Sequence, residues 1–280
     1  MGTSQQKRVR SQNDDRPAIW VGYGKLVKLF RNRAGLTQEG LAEAVGYSVE
    51  LVASIEQGRR PAKAAFTEKA EVTLDAQGTL NALQDDVDLA KLPLFFQDFA
   101  LIETEAISRT CYEPLLIPGL LQTEGYARAL FSAHTPPLSE EMIEQNLEAR
   151  INRQKLLTRT PMVDTCFIIG ESALTSMAGS SSSIMKSQLL HLLKQGSMRN
   201  VEIQVMPSER GFHLGLNGPM VLMETLEHRQ VGYIESQGVG LVVTDAAQVS
   251  GFALRYGKLR AQALSAQASA QLIERMAGEL

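Results

Sequence analysis

The sequence predicts a mainly α-helical N-terminal domain with five helices and a helix-turn-helix, followed by an α+β C-terminal domain with an antiparallel sheet. A chain of 280 residues is long enough for more than one core. Residues 1–75 contain 12 Lys and Arg against 9 Asp and Glu, whereas residues 76–280 contain 16 against 22. A basic N-terminal part on an acidic body suits a protein that meets DNA at one end.

Residues 1–20 are polar and charged, without hydrophobic periodicity, and this pattern predicts a disordered tail. Its basic residues Lys7, Arg8 and Arg10 suit either a loose tail or an arm that reaches into a minor groove. No apolar run approaches the ~18 residues that a membrane span needs, and no apolar signal segment follows the basic start. We therefore expect a cytoplasmic protein without a membrane partner.

The cysteines Cys111 and Cys166 are far apart and lack the spacing of metal ligands. This usage favours buried free thiols in a reducing compartment over a disulfide between the two. The four histidines also lack metal-ligand spacing. We expect no metal and no cofactor.

The N-terminal domain is predicted over residues 21–92. Its first helix covers Trp20–Ala34, with a buried stripe that consists of Leu26, Leu29 and Phe30. A fourth helix is predicted over Ala64–Leu74. A fifth opens at Gly78-Thr79 and packs Leu80, Leu83 and Val87 inward.

The second and third helices lie in Leu36–Pro61, which reads LTQEGLAEAVGYSVELVASIEQGRRP. Thr37 and Ser48 are suited to cap two short helices, because their hydroxyl oxygens accept from free backbone N–H groups. Gly46 and Gly58 follow these helices where a left-handed residue ends a helix. Two short helices joined by a tight glycine turn predict a helix-turn-helix.

The order Thr37-Gln38, Leu41-Ala42, Gly46, Ser48, Ile55-Glu56 and Gly58 resembles the XRE (Cro/repressor-type) DNA-binding domain. The resemblance implies double-stranded DNA as partner, with the second helix of the motif in the major groove. It also implies a buried structural ion pair between Arg31 and Glu56. The residues expected at DNA are Thr37, Gln38, Ser48, Val49, Glu50, Ala53, Ser54, Gln57, Arg59 and Arg60.

Each of these residue types has a chemical reason to meet DNA. Gln38, at the first helical position, can donate to a phosphate, and Gln57, Arg59 and Arg60 are also placed for phosphates. Val49 suits a thymine methyl, Glu50 can accept from cytosine N4, and Ser54 can reach either kind of base edge. The plainer alternatives are a solvated charge for Glu50, a space-filling Ser54, and an ordinary charged loop for Arg59 and Arg60.

The C-terminal domain is predicted over residues 93–280 as a signal-receiving and dimerisation domain. It opens with an amphipathic helix at Leu94–Glu105, whose three phenylalanines suit either a core or a dimer seam. Alternating or continuous apolar segments predict strands at Ala106–Glu113, Val163–Ile169, Val201–Met206, Met220–Leu226, Gln230–Ile234 and Leu241–Val243. Helices are predicted at about Glu124–Phe131, Ser139–Leu157, Glu171–Met177, Ile184–Gln195, Ala246–Ala263 and Ser265–Ala277, with a flexible joint at Gly179–Ser183.

A second similarity covers nearly the whole chain from about residue 24. YEPLLIPGLLQT at residues 112–123, Arg150, RQKLL at residues 153–157, IQVMP at residues 203–207 and Gly218-Pro219 are similar to a large group of actinobacterial regulators. These combine an XRE head with a C-terminal domain of poorly understood function, are often described as antitoxin-like, and commonly lie beside a gene for a small partner protein. The Gly170-Glu171-Ser172 segment departs from the acidic pair that is more common in the group.

The residues that suit a ligand or partner in the C-terminal domain are Tyr112, Glu113, Gln122, Arg150 and Arg153. No Walker loop, GxGxxG, HExxH or GxSxG motif is present, so a non-enzyme is favoured. We expect a homodimeric DNA-binding transcriptional regulator whose C-terminal domain binds a small cognate protein. Alternatives are a small-molecule sensor, favoured by a pocket with convergent polar groups, and a DNA-targeted enzyme, favoured by a pocket carboxylate with a raised pKa.

Overall fold

The computed structural model describes residues 16–175 and 182–280. The chain divides into two compact units, one ending at Lys91 and the other covering Leu92–Leu280. Most of the predicted tail, residues 1–15, lies outside the described residues, and so do residues 179–181 of the predicted joint and the end of the helix predicted at Glu171–Met177.

The first unit is entirely helical over its described residues. Its helices are α1 (Ala18–Arg33), α2 (Gln38–Val45), α3 (Val49–Glu56), α4 (Ala64–Thr73), α5 (Thr79–Ala82) and α6 (Gln84–Leu89). The single fifth helix expected from the sequence is therefore wrong, because the chain breaks at Leu83 into two short helices. The break turns the Gln84 amide into the core, where it accepts from Thr67 at 2.5 Å and donates to the Ala62 carbonyl at 3.2 Å.

The buried face of α1 also differs from the expectation. Leu29 is 59% exposed, whereas Trp20, Tyr23 and Val27 are buried. Leu26 and Phe30 are only partly buried. The polar ends of the two buried aromatic side chains find partners inside the unit, since Trp20 Nε1 donates to the Val87 carbonyl at 3.0 Å and the Tyr23 hydroxyl bonds Thr67 at 2.6 Å. Both aromatic rings can therefore be buried without an unsatisfied polar atom.

The second unit surrounds one six-stranded sheet. Its helices are α7 (Leu94–Thr104), α8 (Glu124–Ser132), α9 (Glu140–Arg153), α10 (Glu171–Thr175), α11 (Ser182–Gly196), α12 (Ala246–Gln262) and α13 (Ala266–Glu279). Its strands are β1 (Ala106–Glu113), β2 (Asp164–Gly170), β3 (Val201–Met206), β4 (Met220–Thr225), β5 (Gln230–Ser236) and β6 (Val239–Val243). The strand order is β3-β2-β1-β4-β5-β6.

The sheet is mixed, so the expected antiparallel sheet is wrong in one half. β1 pairs with β2 and β2 pairs with β3 in parallel, whereas β4, β5 and β6 continue from β1 in antiparallel register. Helices lie between β1 and β2 and between β2 and β3 in the chain, and such long crossovers allow parallel pairing. The strands after β4 are joined by short turns, which require antiparallel pairing.

Apolar side chains fill both faces of the sheet. Phe99 of α7 stacks on Tyr233 of β5 with ring centroids 4.1 Å apart, so this helix contributes to the core of the unit. Successive residues of β1 point to opposite faces: Cys111 packs in the cluster with Phe99, and Tyr112 packs on the other side with Cys166. Both cysteines are free and buried, as predicted. None of the helices in the described part of the chain combines the length and apolarity needed to span a bilayer.

Candidate DNA-binding surface and a charged cluster

The helix-turn-helix geometry follows from local side-chain caps. Thr37 accepts from the Gly40 N–H at 3.0 Å and begins α2, and Ser48 accepts from the Leu51 N–H at 3.2 Å and begins α3. Gly46 ends α2 in the left-handed region with φ 73°. These contacts confirm the predicted capping of both helices.

Close backbone packing holds α3 against α1. A Cβ on Gly24 of α1 would lie 2.1 Å from the carbonyl oxygen of Ile55. Gly58, at φ 65°, lies so close to Val21 that a Cβ would stand 2.7 Å from its Cα. These two glycines allow the two helices to approach more closely than any other residue would permit.

A buried polar network joins α1, α2 and α3. Arg31 Nε and Nη2 donate to the two Glu56 carboxylate oxygens at 2.5 and 3.0 Å, and Nη1 donates to the Leu36 carbonyl at 2.8 Å. Hydrogen bonding to Glu56 raises the pKa of Arg31 above its usual value. Arg31 and Glu56, the two residues expected to pair, lie in a buried bidentate contact that links α1 to α3.

Gln38 belongs to the same network. Its Nε2 donates to Glu56 Oε2 at 2.8 Å, so its side-chain amide is directed at a buried carboxylate. One of the two Nε2 hydrogens of Gln38 is therefore occupied by Glu56, and the expected phosphate contact would use the second Nε2 hydrogen. This link is not visible in the sequence, because Gln38 and Glu56 are 18 residues apart.

The residues expected at base edges and phosphates differ in exposure. Glu50, Gln57, Arg59 and Arg60 are exposed, whereas Val49, Ala53 and Ser54 are partly buried. Val49 packs in part against the core of the unit, which leaves less of its side chain for a thymine methyl. The Ser54 carbonyl accepts from the Arg59 and Arg60 N–H groups at 2.9 and 3.4 Å, so the loop after α3 folds back onto that helix. Contact of these residues with DNA stays a prediction.

A second charged cluster lies in the Leu92–Leu280 unit. Glu103 of α7 is buried and accepts from Arg109 Nε at 2.8 Å and from Arg153 Nε at 2.5 Å. Burial raises the pKa of Glu103, but the two arginines outweigh burial and hold this pKa below its usual value. A buried carboxylate between two guanidinium groups is satisfied in its ionised form.

Glu103 and Arg109 were not singled out in the sequence. A signal was present, because Arg109 occupies the same face of its strand as Cys111, where an apolar side chain is the norm. Arg109 Nη1 is also buried without a hydrogen-bond partner among the described residues.

Gln122 and Arg150, two predicted ligand residues, do meet. Arg150 Nη1 donates to Gln122 Oε1 at 2.6 Å, and the guanidinium lies over the Phe131 ring with its Cζ 4.6 Å from the centroid. Gln122 Nε2 in turn donates to the Ile117 carbonyl at 2.7 Å. Burial and the neighbouring Arg153 charge lower the pKa of Arg150 to about 10.

Glu113 is at the end of β1 and faces this cluster. Burial raises its pKa, and Glu235 adds to that effect, while Arg109 and Arg150 lower it; the resulting pKa is about 7. Tyr112 is not part of the group, since it packs on the opposite face of the sheet, against Gly215. The structure therefore brings together four of the five predicted ligand or partner residues.

Other sites in the described residues offer less. No group of His, Cys, Asp and Glu side chains in residues 16–175 and 182–280 has the arrangement of a metal site. A cavity of about 390 Å³ lies between α11, α13 and the start of β3, at the opposite end of the parallel strands from Glu113. It is lined by both polar and apolar side chains, such as Asn200 and Ile273.

Comparison with known proteins divides the chain at the same place. Residues 23–83 match a model described as a helix-turn-helix domain, and residues 96–275 match a domain of unknown function, DUF5753. An uncharacterized HTH-type transcriptional regulator of Bacillus subtilis (strain 168), YazB, is 38% identical over 69 residues, which cover 25% of this chain and 87% of that protein. No solved structure matches. The chain belongs to the DUF5753 family and joins that domain to an N-terminal helix-turn-helix domain.

Proposed function

We propose that the protein is a sequence-specific DNA-binding transcriptional regulator. The arrangement of α2 and α3 carries this proposal, because the caps and the Arg31–Glu56 pair hold α3 as a rigid element with Glu50 exposed near its start. A helix presented in this way suits the major groove, where its N-terminal residues meet base edges. The likeness to YazB supports the same role.

The regulator is proposed to act as a homodimer on paired half-sites, in the cytoplasm and without enzymatic activity. Its Leu92–Leu280 unit would dimerise and bind a small cognate protein, as in antitoxin-like regulators. Exposed apolar side chains support a protein partner: Ile234 and Leu241 are register neighbours on β5 and β6, and Val239 lies beside them on the same face.

A small-molecule sensor is the second candidate. The convergence of Arg150, Gln122 and Glu113 at one end of β1 favours it, because polar groups gathered from separate elements are typical of ligand sites. The raised pKa of Glu113 also meets one condition for the enzyme alternative. That alternative further requires a substrate pocket and a reacting partner for the carboxyl group.

The regulator is tested by selecting bound fragments of the source genome with the purified full-length protein across a salt series. We expect enrichment of a pseudo-palindromic site, with its half-sites separated by about one helical turn or a multiple of it. Retention that depends on salt but not on sequence would contradict the proposal, because phosphate contacts alone produce that behaviour.

Two variants distinguish a residue that contacts a base from a residue that holds the DNA-binding helices in place. Glu50→Ala is expected to change the preferred sequence at one position of each half-site. Gln38→Ala is expected to weaken binding to all sequences by a similar factor, because Gln38 supports Glu56 and the start of α2 rather than a base. An unaltered preferred site in Glu50→Ala would refute the assigned base contact.

A further inference from the structure

Arg150 has an incomplete set of partners. A guanidinium carries five N–H donors. Among the described residues, the only hydrogen bond of the Arg150 side chain is the one from Nη1 to Gln122. No carboxylate in the described part of the chain forms an ion pair with it, in contrast to Arg153, which is paired with Glu103.

The remaining edge of the Arg150 guanidinium borders a glycine. A Cβ on Gly119 would lie 3.7 Å from Arg150 Nε and 3.7 Å from Arg153 Nη1. Such a Cβ would make ordinary van der Waals contacts with both guanidinium groups, so the loop at Gly119 lies directly beside two cations. Gln154 Nε2 holds the loop in place by donating to the carbonyls of Gly119 at 3.1 Å and of Gln122 at 2.7 Å.

The charges that surround Arg150 do not offset the cost of burying its cation. Burial and Arg153 lower the pKa of Arg150 to about 10 although Glu235 and Glu113 act in the opposite direction, so the cation is less stable here than in water while it stays protonated at neutral pH. An anion beside the guanidinium would reverse this penalty and form charge-assisted hydrogen bonds. Arg109, which is paired with Glu103, has a buried Nη1 without a hydrogen-bond partner among the described residues.

The topology places these groups where open sheets bind ligands. β1 ends at Glu113 between β2 on one side and β4 on the other, and the chain crosses from β3 to β4 past this end. In open sheets with parallel strands, ligands bind beyond the carboxyl ends of strands where the strand order reverses. Gln122 and Arg150 reach this end from the loop after β1 and from α9.

We propose that Arg150 binds the carboxylate or phosphoryl group of a small anion at the carboxyl end of β1, with Gln122 orienting the guanidinium. Glu113 borders the anion and decides its affinity through its own charge. The proposal deepens the sensor candidate and does not depend on DNA binding.

The test uses the full-length protein without DNA. Inorganic phosphate, pyrophosphate and citrate are titrated by calorimetry at constant ionic strength, with potassium chloride as the balancing salt. We expect saturable binding of at least one of them and a loss of tenfold or more in Arg150→Lys, which keeps a positive charge but not the planar fork. Circular dichroism verifies that the variant is folded.

Arg128→Lys is the matched control. Arg128 on α8 is partly exposed and already paired with Glu144 at 2.5 Å, so its substitution is expected to change affinity by less than twofold. Absence of saturable binding, or equal binding by Arg150→Lys, would overturn the proposal.

Glu113→Gln tests the geometry independently of Arg150. At pH 8 the Glu113 carboxylate is ionised and repels a bound anion, so Glu113→Gln is expected to bind the anion at least threefold more tightly than wild type. At pH 5.5 Glu113 is protonated, and the two proteins should bind the anion with equal affinity. The charged groups that face Glu113 are Arg109 on β1, Arg150 on α9 and Glu235 on β5, and all stay in place in the variant. Equal affinities at pH 8 would show that Glu113 does not border the anion.

Discussion

Removal of the Glu56 charge is expected to destabilise the helix-turn-helix unit strongly. In Glu56→Gln the side chain keeps its shape and one acceptor for Arg31 or Gln38. Arg31, however, stays buried with its charge uncompensated. Glu56 is the residue on α3 through which α1 and α2 are linked, so the whole motif should lose stability.

The magnitude follows from burial. Only 9% of the Arg31 side chain and 2% of the Glu56 side chain are exposed, so solvent offers little compensation. Breaking a buried ion pair by removing one partner costs about 3–5 kcal/mol, and the retained amide oxygen places Gln at the lower end, about 3 kcal/mol. With a urea m-value of about 1 kcal/mol per M for a unit of this size, the midpoint should fall by about 3 M.

The chain provides its own reporter for this unit. It contains one tryptophan, Trp20, which is 8% exposed and lies in the core formed by α1 and α6. Urea denaturation of the full-length protein followed by tryptophan fluorescence therefore reports the unfolding of this unit alone. Glu50→Gln makes the same chemical change at an exposed position of the same helix and should alter the free energy of unfolding by less than about 0.5 kcal/mol.

A change below about 1 kcal/mol in Glu56→Gln would refute the reasoning, because such a value is typical of a solvated surface pair. An equally large change in Glu50→Gln would also refute it, since the effect would then come from α3 in general. The double variant with both Arg31 and Glu56 replaced by apolar residues should recover part of the loss, because it leaves no buried charge.

Three further outcomes are expected. Gly24→Ala should lower the free energy of unfolding of the first unit by at least about 2 kcal/mol, because the added Cβ would overlap the Ile55 carbonyl oxygen. Gly22→Ala, where the added Cβ meets open space, should raise that free energy by about 0.5–1 kcal/mol. Urea denaturation followed by tryptophan fluorescence measures both variants. The pKa of Glu113 is raised to about 7, so the folded protein binds this proton more tightly than the unfolded chain, and ionisation of Glu113 destabilises the second unit as pH rises from 4.5 to 7. Glu113→Gln should therefore raise the melting temperature of this unit at pH 8 and leave it unchanged at pH 4. Calorimetry measures both temperatures, and a difference between variant and wild type that is the same at the two pH values would contradict this prediction. Arg59→Ala/Arg60→Ala should reduce the slope of log affinity against log salt by about two units, and an unchanged slope would place both residues away from phosphates.

Local chemistry made much of the fold predictable. Thr37, Ser48 and Gly46 act within a few residues of their own positions, so the sequence alone located the two helices of the motif and their turn. All six strands also lie where apolar alternation predicted them, with bounds that differ by a few residues. The ion pair between Arg31 and Glu56 was accessible through the XRE resemblance and not through any local pattern.

Tertiary structure decided what depends on distant partners. Strand direction in the sheet depends on pairing between segments that are far apart in the chain, so β1, β2 and β3 were expected in the wrong orientation. The buried face of α1 depends on whether Trp20 and Tyr23 find hydrogen-bond partners more than 40 residues away.

The charged cluster shows the same division. The sequence by itself grouped Glu113, Gln122, Arg150 and Arg153 with Tyr112 as residues that suit a ligand or partner. Only the tertiary structure decided that Arg153 is neutralised by Glu103 while Arg150 is not, and that Tyr112 faces away. The physical reason is that neighbouring residues determine caps and periodicity, whereas burial and charge balance depend on every element that packs around a side chain.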